Sequence, residues 1–284
     1  MGVAVSKGFL IFAQNTTDVD YVRQAYALAL SIKATQHTVS NVSIVTNSTI
    51  PEQYIDVFDN IIPIPWFKES IDDPLAGEHR WKLYHASPYD ETIVLDADML
   101  MLEDISIWWL HCANYDIKFC SRIKNHKLEA VTDTFHRKAF ISNNLTNPYF
   151  ALHYFKKSDT AHEFYKILEF VCNNWAWCYE KFAPNHYQHW LSMDLATAIA
   201  IEISGFHEQA IDSTSPFEFI HMKSPIQGWD TIHEDWQNGV PHVFTATGHL
   251  VIGNIRQSKL CHYVEKNFIT DDILKKLEGL VHGS

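Results

Sequence analysis

Basic residues, glycine, proline and cysteine are all scarce in this chain of 284 residues. Lys and Arg number 22 against 34 Asp and Glu, which gives a formal net charge of −12. This balance disfavours a general duplex-binding protein, because duplex affinity depends largely on Lys and Arg neutralising phosphates. Ten Gly and ten Pro are too few for a collagen-like or linker protein. Five Cys without C-x-x-C spacing indicate neither a zinc site nor a disulfide framework.

Long hydrophobic runs are missing as well. The apolar runs fall well short of the roughly 18 residues that a membrane-spanning helix requires. Residues 1–8 lack the charged-then-apolar layout of a secretion signal. We therefore expect a reduced, soluble, cytoplasmic protein with no membrane span. Disorder is excluded, since 46% of the residues are hydrophobic, and a chain of this length buries about three quarters of its unfolded surface.

Apolar periodicity predicts alternating strands and helices over residues 8–120. The predicted strands are 8–13, 41–46, 60–65 and 91–95, and the predicted helices are 20–35, 51–58 and 77–86. Such alternation is typical of a mostly parallel sheet covered by helices. Further along we predict a strand at 117–120, a basic loop at 122–127, helices at 160–181 and 187–204, short strands from 216 and a helix at 271–280. One α/β domain over 1–284 is expected.

Two carboxylates follow a buried strand in Val94-Leu95-Asp96-Ala97-Asp98-Met99. Ligands of open α/β sheets bind at the carboxyl ends of the strands, and carboxylate oxygens suit Mg²⁺ or Mn²⁺. The alternative is a strand that ends in an acidic turn. A phosphatase-like nucleophile pair is less favoured, because Met-Leu rather than Gly-Thr follows Asp98.

The surroundings of this motif carry a resemblance. Arg80-Trp81-Lys82-Leu83 precedes Ser87-Pro88-Tyr89-Asp90, and the strand and Asp96-Ala97-Asp98 follow. The order and spacing resemble the family 8 glycosyltransferases, which include glycogenin and bacterial lipopolysaccharide galactosyltransferases. The resemblance implies a GT-A fold with a mixed, mostly parallel sheet and C-terminal helical elaborations. It also implies transfer of a hexosyl or pentosyl group from a nucleotide sugar, a UDP-sugar first, to an acceptor hydroxyl with retention, using Mn²⁺ or Mg²⁺.

The same resemblance assigns residues to the donor. Ala13 and Asn15 would contact the uracil and ribose, and Arg80, with Lys82 nearby, would approach the diphosphate. Arg80 suits that task because a guanidinium stays charged and offers two parallel donors to phosphate oxygens. The alternatives are a turn residue for Asn15 and a solvated helix face for Arg80. Residues 8–120 would form the nucleotide-binding half and 121–284 the acceptor half.

A second family motif, His-x-x-Gly-x-x-Lys-Pro-Trp, is similar in spacing to the run from His221 to Trp229. His221 would then be the third metal ligand. Gln227 stands where the family has a diphosphate-binding Lys, and Lys223 is the nearby substitute. The rival third ligand is His262, which has Lys266 four residues later. We expect His221 rather than His262.

One more carboxylate enters through the resemblance. Asp194 lies in Ser192-Met193-Asp194, where the family has Asp-Gln-Asp before an apolar helix. It would be the carboxylate beside the reacting sugar. The alternative is an Asp that stabilises a helix N-terminus.

The acceptor is the least specified partner. The basic cluster 122–127, with Arg137 and Lys138, is either a solvated loop, which we favour, or a site for an anionic acceptor. Trp175, Trp177 and Trp190 are expected in the core, with sugar or base stacking as the alternative. The run 249–270 resembles phage-encoded members, which would place the protein in a host cytoplasm. A saccharide or a modified nucleobase in DNA is therefore the expected acceptor. A metal-dependent nucleotidyltransferase and a non-catalytic sugar or nucleic-acid binder remain alternatives.

Overall fold

The computed structural model describes residues 5–65, 77–186, 190–212, 215–229 and 235–283. Within these ranges the strands are β1 Lys7–Phe12, β2 Val42–Val45, β3 Asn60–Ile62, β4 Glu91–Asp96, β5 Met99–Met101, β6 Ile117–Cys120, β7 Arg122–Lys124, β8 Ala130–Val131, β9 Tyr149–Lys156, β10 Glu218–His221, β11 His242–Phe244, β12 Leu250–Ile252, β13 Ile255–Arg256 and β14 Leu260–His262. The helices are α1 Tyr21–Thr35, α2 Glu52–Ile55, α3 Leu83–Ala86, α4 Ser106–Cys112, α5 Lys138–Ser142, α6 Asp159–Asn173, α7 Trp175–Phe182, α8 Met193–Ser204, α9 His207–Ala210, α10 Ser224–Gln227, α11 Trp236–Gly239 and α12 Asp271–His282. A 3₁₀ segment, Gly77–Lys82, leads into α3.

The main sheet has the strand order β3-β2-β1-β4-β9-β6. β3, β2, β1 and β4 run parallel, whereas β9 is antiparallel to both of its neighbours. The parallel strands β1, β2 and β4 are almost entirely buried, as expected of a sheet covered on both faces. The predicted mixed, mostly parallel α/β sheet is therefore confirmed.

Helix α1 shows how the local sequence fixes one of the covering layers. The Asp20 carboxylate accepts a hydrogen bond from the Arg23 amide and so caps the helix N-terminus. Small and straight-chain apolar residues follow, and most of the helix is buried. Close packing extends to the opposite end of the sheet, where a Cβ on Gly8 would lie 2.4 Å from the Tyr89 ring.

A second sheet, with the order β5-β14-β10-β7-β8, stands beside the main one. β5 begins three residues after β4 ends, so the chain passes from one sheet into the other through Ala97 and Asp98. β14 pairs antiparallel with β5 and parallel with β10. The carboxyl end of β4 therefore lies at the junction of the two sheets. β11, β12 and β13 form a third, antiparallel sheet.

Several local predictions differ from the structure. The predicted basic loop at 122–127 begins with a strand, because Arg122–Lys124 pairs with both β10 and β8. The predicted helix at 160–181 is interrupted at Asn174, and 77–86 is partly 3₁₀. The helix predicted over 187–204 begins at Met193, and its predicted first residues 187–189 lie outside the described residues.

Two further features concern the cysteines and the longer helices. All five cysteines are free and buried, as expected from their spacing. Across the described ranges, we find no helix that is both long enough and apolar enough to span a bilayer. The division into a nucleotide-binding half and an acceptor half stays a prediction.

Candidate functional site

Strand register places two carboxylates at the junction of the sheets. Asp96 is the last residue of β4 and lies opposite Phe12, the last residue of β1. Asp98 follows in the turn, and its carbonyl oxygen accepts a hydrogen bond from the Tyr263 amide at 3.1 Å. The Asp98 side chain is buried, with 9% of its surface exposed. Both carboxylates therefore stand at the carboxyl end of the parallel strands, where ligands bind in such sheets.

Two histidines reach this point from the second sheet. His262 ends β14, and its Nε2 lies 3.0 Å from Asp98 Oδ1. His221 ends β10 and is paired in register with His262, so the two rings stack with centroids 4.8 Å apart. Ligand atoms of Asp96, Asp98 and His262 all lie within 4.8 Å of one another, so these residues could hold a metal ion. The geometry favours His262 over the expected His221, which is not a member of this cluster.

Each carboxylate also has a cationic partner. Arg80 Nη2 lies 2.7 Å from Asp96 Oδ1, and Lys266 Nζ lies 2.5 Å from Asp98 Oδ2. Although burial alone would raise the pKa of the Asp98 carboxyl, His262 and Lys266 hold it well below its ordinary value. Burial lowers and Asp98 raises the pKa of Lys266, and the net direction is upward. Asp98 is thus ionised across the physiological range.

Lys266 is a candidate site residue that the sequence analysis named only as the companion of His262. Its side chain reaches back from the segment after β14 and also lies over the Tyr21 ring, 5.2 Å from the centroid. The signal in the sequence was the spacing His262-x-x-x-Lys266, in which a histidine, a residue type that binds metals, lies four residues before a lysine, a residue type that binds phosphates. The pairing of β14 with β5, which no local pattern indicates, brings this pair to Asp98.

The carboxylates line two neighbouring cavities. The first has a volume of about 180 Å³ and is lined by Phe12, Gln14, Tyr21, Arg80, Asp96, Ala97, Asp98 and Lys266. The second has a volume of about 270 Å³ and is lined by residues that include Arg80, Asp96, Arg137, Tyr149, Asp194, His221, Lys223 and His262. Arg80 and Asp96 line both, so the group of Asp96, Asp98 and His262 lies where the two cavities meet.

Asp194 occupies the second cavity in a fixed orientation. Its Oδ1 accepts a hydrogen bond from the Phe150 amide at 2.7 Å, and its Oδ2 lies 2.7 Å from Arg137 Nη2. The Arg137 guanidinium lies over the Tyr149 ring, 3.8 Å from the centroid. Arg137 is 5% exposed, so its assignment to a solvated basic loop is wrong. Lys223 lies nearby, and burial followed by the charge of Arg137 lowers the pKa of its ammonium group.

Two predicted donor contacts lie beside the first cavity. Ala13 is 1% exposed and stands between Phe12 and Gln14. The Asn15 side chain accepts a hydrogen bond from the Val22 amide at 2.9 Å, which adds to the capping of α1. A structural role of Asn15 is thus observed, and its contact with a nucleotide stays a prediction.

Two other predicted contacts lie away from the described cavity linings. Lys82 Nζ lies 5.3 Å from the Trp81 ring centroid, and Lys82 is absent from both described linings. The Gln227 amide is used internally: Oε1 accepts from the His126 backbone amide at 3.0 Å, and Nε2 donates to the His221 carbonyl at 2.6 Å. The geometry therefore favours Lys266 over Gln227 as a contact for a diphosphate.

The remaining basic and aromatic candidates are placed differently from expectation. Lys124 and Lys259 each lie 2.8 Å from Glu218 Oε1, and Arg122 Nη2 lies 3.5 Å from Oε2, so much of the basic cluster is compensated. Trp177 is 52% and Trp190 66% exposed, so the core interpretation is wrong for both.

Comparisons with known proteins identify the fold. No family model matches the sequence, and no curated protein matches it. Among solved structures, the glycosyltransferase GlyE of Streptococcus pneumoniae superposes with a TM-score of 0.51 at 10% identity, covering 98% of this chain and 63% of GlyE. The galactosyltransferase LgtC, solved with donor and acceptor sugar analogs, gives 0.51 at 14% identity, covering 97% of this chain and 95% of LgtC. Mouse xyloside xylosyltransferase 1 superposes with a TM-score of 0.50 at 10% identity, covering 91% of this chain and 98% of the mouse protein.

These matches show the fold. The chain has the GT-A fold, as the sequence predicted. It spans 63% of the length of GlyE. Membership of family 8 and a phage origin stay predictions.

Proposed function

We propose that this protein is a metal-dependent glycosyltransferase that moves a hexosyl or pentosyl group from a nucleotide sugar to an acceptor hydroxyl. A UDP-sugar is the first donor to test. The observation that carries the proposal is the cluster of Asp96, Asp98 and His262 at the carboxyl end of β4. The cluster lies between two cavities, and in our proposal the first holds the nucleotide and the second holds the sugar and its acceptor.

The ligand atoms of Asp96, Asp98 and His262 suit a divalent cation. Carboxylate oxygens suit Mg²⁺ and Mn²⁺, and an imidazole nitrogen favours the softer Mn²⁺ of the two. The ligand atoms of Asp96, Asp98 and His262 lie within 4.8 Å of one another, close enough for the three side chains to hold one cation. When bound, the cation supplies positive charge to the diphosphate that departs with the nucleotide.

Arg80 and Lys266 are the chain's own phosphate ligands in this proposal. Both line the first cavity, and both are charged groups that donate to phosphate oxygens. In the absence of ligand they bond to Asp96 and Asp98. We infer that they transfer to the diphosphate when a cation takes their place on the carboxylates. Lys266 then performs the task that the sequence assigned to Gln227 or Lys223.

The nucleoside and the sugar use opposite sides of the cluster. Tyr21 and Phe12 supply apolar surface in the first cavity for a base and ribose, and Ala13 and Asn15 stay the predicted contacts there. On the other side, Asp194 presents a carboxylate fixed by two bonds. A fixed negative charge stabilises the oxocarbenium-like transition state of glycosyl transfer. Retention and a modified DNA base as acceptor stay predictions of the resemblance.

The test is a thermal-shift comparison of UDP, GDP and CDP, each with Mn²⁺ or with EDTA. A ligand at 100 times its Kd stabilises the native state by about 2.7 kcal/mol, which raises Tm by roughly 5 °C or more for a chain of this size. We expect this rise for UDP with Mn²⁺, and its loss with EDTA and in Asp98→Asn. Release of UDP from UDP-sugars should likewise require Mn²⁺ and Asp98.

Other results of the same test point elsewhere. A shift with UDP but no turnover of any nucleotide sugar would favour the non-catalytic binder. Turnover of a nucleoside triphosphate with a sugar phosphate would favour the nucleotidyltransferase. Unchanged activity in Asp98→Asn, which conserves side-chain volume, would overturn the metal assignment.

A further inference from the structure

The second cavity contains a positive charge that has no direct ion-pair partner among the described residues. Of its lining residues, Asp96 and Asp194 are carboxylates, and each bonds to an arginine, Arg80 or Arg137, at 2.7 Å. Lys223 lines the same cavity. Within the part of the chain that the structure describes, it has no carboxylate oxygen inside ion-pair distance. The charge of Lys223 is thus available to a ligand.

Keeping this ammonium group in the cavity is unfavourable without an anion. Lys223 is half-buried, and burial together with the charge of Arg137 lowers the pKa of its ammonium group, although Asp194, Asp133 and Asp98 partly offset them. A cation withdrawn from water is stable only when it is paired or hydrogen-bonded. Asp194 is bonded to Arg137, and Asp133 and Asp98 act on Lys223 only from beyond ion-pair distance, so an anionic ligand in the cavity would be its direct partner.

Two buried polar atoms in the cavity wall point the same way. Tyr149 Oη and His221 Nδ1 have no hydrogen-bond partner among the described residues, although each residue is only 3% exposed. Buried polar groups nearly always have partners, so such atoms in a cavity wall indicate a ligand. A hydroxyl and a neutral imidazole both offer a donor, and together with an ammonium group they suit anionic oxygens.

We propose that Lys223 makes the second cavity selective for a saccharide that carries an anionic group, a carboxylate or a phosphate. The inference rests on the proposed function, in which this cavity holds the transferred sugar and the acceptor. The cavity volume of 270 Å³ equals the share of about nine water molecules in the liquid, which fits a monosaccharide and its charged substituent. The anionic group belongs to the transferred sugar or to the acceptor, and the experiment separates these sources.

Isothermal titration calorimetry on the full chain with Mn²⁺ tests both sources of the anionic group, in a donor arm and an acceptor arm. The donor arm compares UDP-glucuronate with UDP-glucose, which differ only in a carboxylate at C6. The acceptor arm compares glucuronate and glucose 6-phosphate with glucose, each added to protein saturated with UDP and Mn²⁺. In one arm we expect the anionic member to bind about tenfold more tightly than its neutral counterpart, the size expected of one charge-assisted contact.

Variants assign the preference to Lys223. Lys223→Gln keeps a hydrogen-bond donor but loses the charge. The ratio of the affinities for the anionic and the neutral compound should therefore fall to about one, while UDP still binds. Lys223→Arg should keep the preference, and so should Lys275→Gln, which removes the same charge from an exposed position on α12. Equal binding in both arms, or a preference that survives in Lys223→Gln, would overturn the inference and leave the proposed function standing. Failure of UDP, GDP and CDP to bind at all would overturn both.

Discussion

The pairing of Lys266 with Asp98 predicts that one substitution shifts metal and nucleotide affinity in opposite directions. Lys266 Nζ lies 2.5 Å from an oxygen of a predicted metal ligand, so a cation has to displace the ammonium group before it binds Asp98 fully. Lys266→Met removes this competitor and should strengthen Mn²⁺ binding to the free protein. The same change removes a phosphate ligand and should weaken UDP binding in the presence of Mn²⁺.

The magnitude follows from the burial of the pair. The Asp98 side chain is 9% exposed and that of Lys266 38%, so the pair is neither fully solvated nor fully dry. An exposed pair contributes about 0.2–1 kcal/mol, and hydrogen bonds to charged groups contribute about 1.5–3 kcal/mol. Because Lys266 is partly exposed, we take about 1.5 kcal/mol for the contribution of the Lys266–Asp98 pair, which corresponds to a roughly tenfold change in a dissociation constant. His262 still bonds to Asp98 in the variant, so the carboxylate is not left without a partner.

Calorimetric titration measures both affinities directly. Mn²⁺ is titrated into the nucleotide-free protein, and UDP is then titrated into protein saturated with Mn²⁺. Lys275→Met, on the exposed face of α12, controls for the change in net charge. Stronger Mn²⁺ binding with weaker UDP binding supports the exchange. If both affinities fall, or if neither differs from the Lys275→Met control, the reasoning is refuted.

Three further predictions concern stability and are checked by denaturant unfolding. Gly8→Ala should lower the free energy of unfolding by about 1–3 kcal/mol, because its Cβ would lie 2.4 Å from the Tyr89 ring; an unchanged midpoint would contradict this packing. Burial lowers the pKa of His153 to about 4, so the folded state favours the neutral imidazole. The free energy of unfolding should therefore fall by about 2 kcal/mol from pH 7 to pH 5, because the unfolded state takes up a proton that the folded state does not. The variant His153→Asn should show a correspondingly flatter pH dependence. Arg137→Met should cost about 3 kcal/mol by leaving Asp194 unpaired, and adding Asp194→Asn should recover part of that loss.

The sequence predicted the parts of the site that depend on local patterns. An apolar run ending in two acidic residues predicts a buried strand and carboxylates at its end, and β4 with Asp96 and Asp98 has that arrangement. The alternation of strands and helices likewise predicted the α/β sheet, and the resemblance to family 8 glycosyltransferases predicted the GT-A fold. The strands, the helices and the carboxylates at the end of β4 follow from side-chain period and element length, which a single segment already contains.

The rest depends on contacts between distant segments. His262 reaches Asp98 because β14 pairs with β5 at a separation of more than 150 residues, and a motif match to His221 carries no information about that register. Arg137 is in a basic cluster along the sequence, but its partner is Asp194 on another element. Its burial could be recognised only after the fold had brought the two together.

The most direct test of the account is the position of manganese in a crystal of this protein grown with UDP and Mn²⁺. Anomalous diffraction at the manganese absorption edge locates the ion without assumptions about its ligands. We predict one peak within coordination distance of Asp96, Asp98 and His262 Nε2, with the UDP diphosphate beside it and Lys266 moved from Asp98 to a phosphate oxygen. A peak coordinated by His221 instead of His262, or UDP bound with no peak at these carboxylates, would contradict the account.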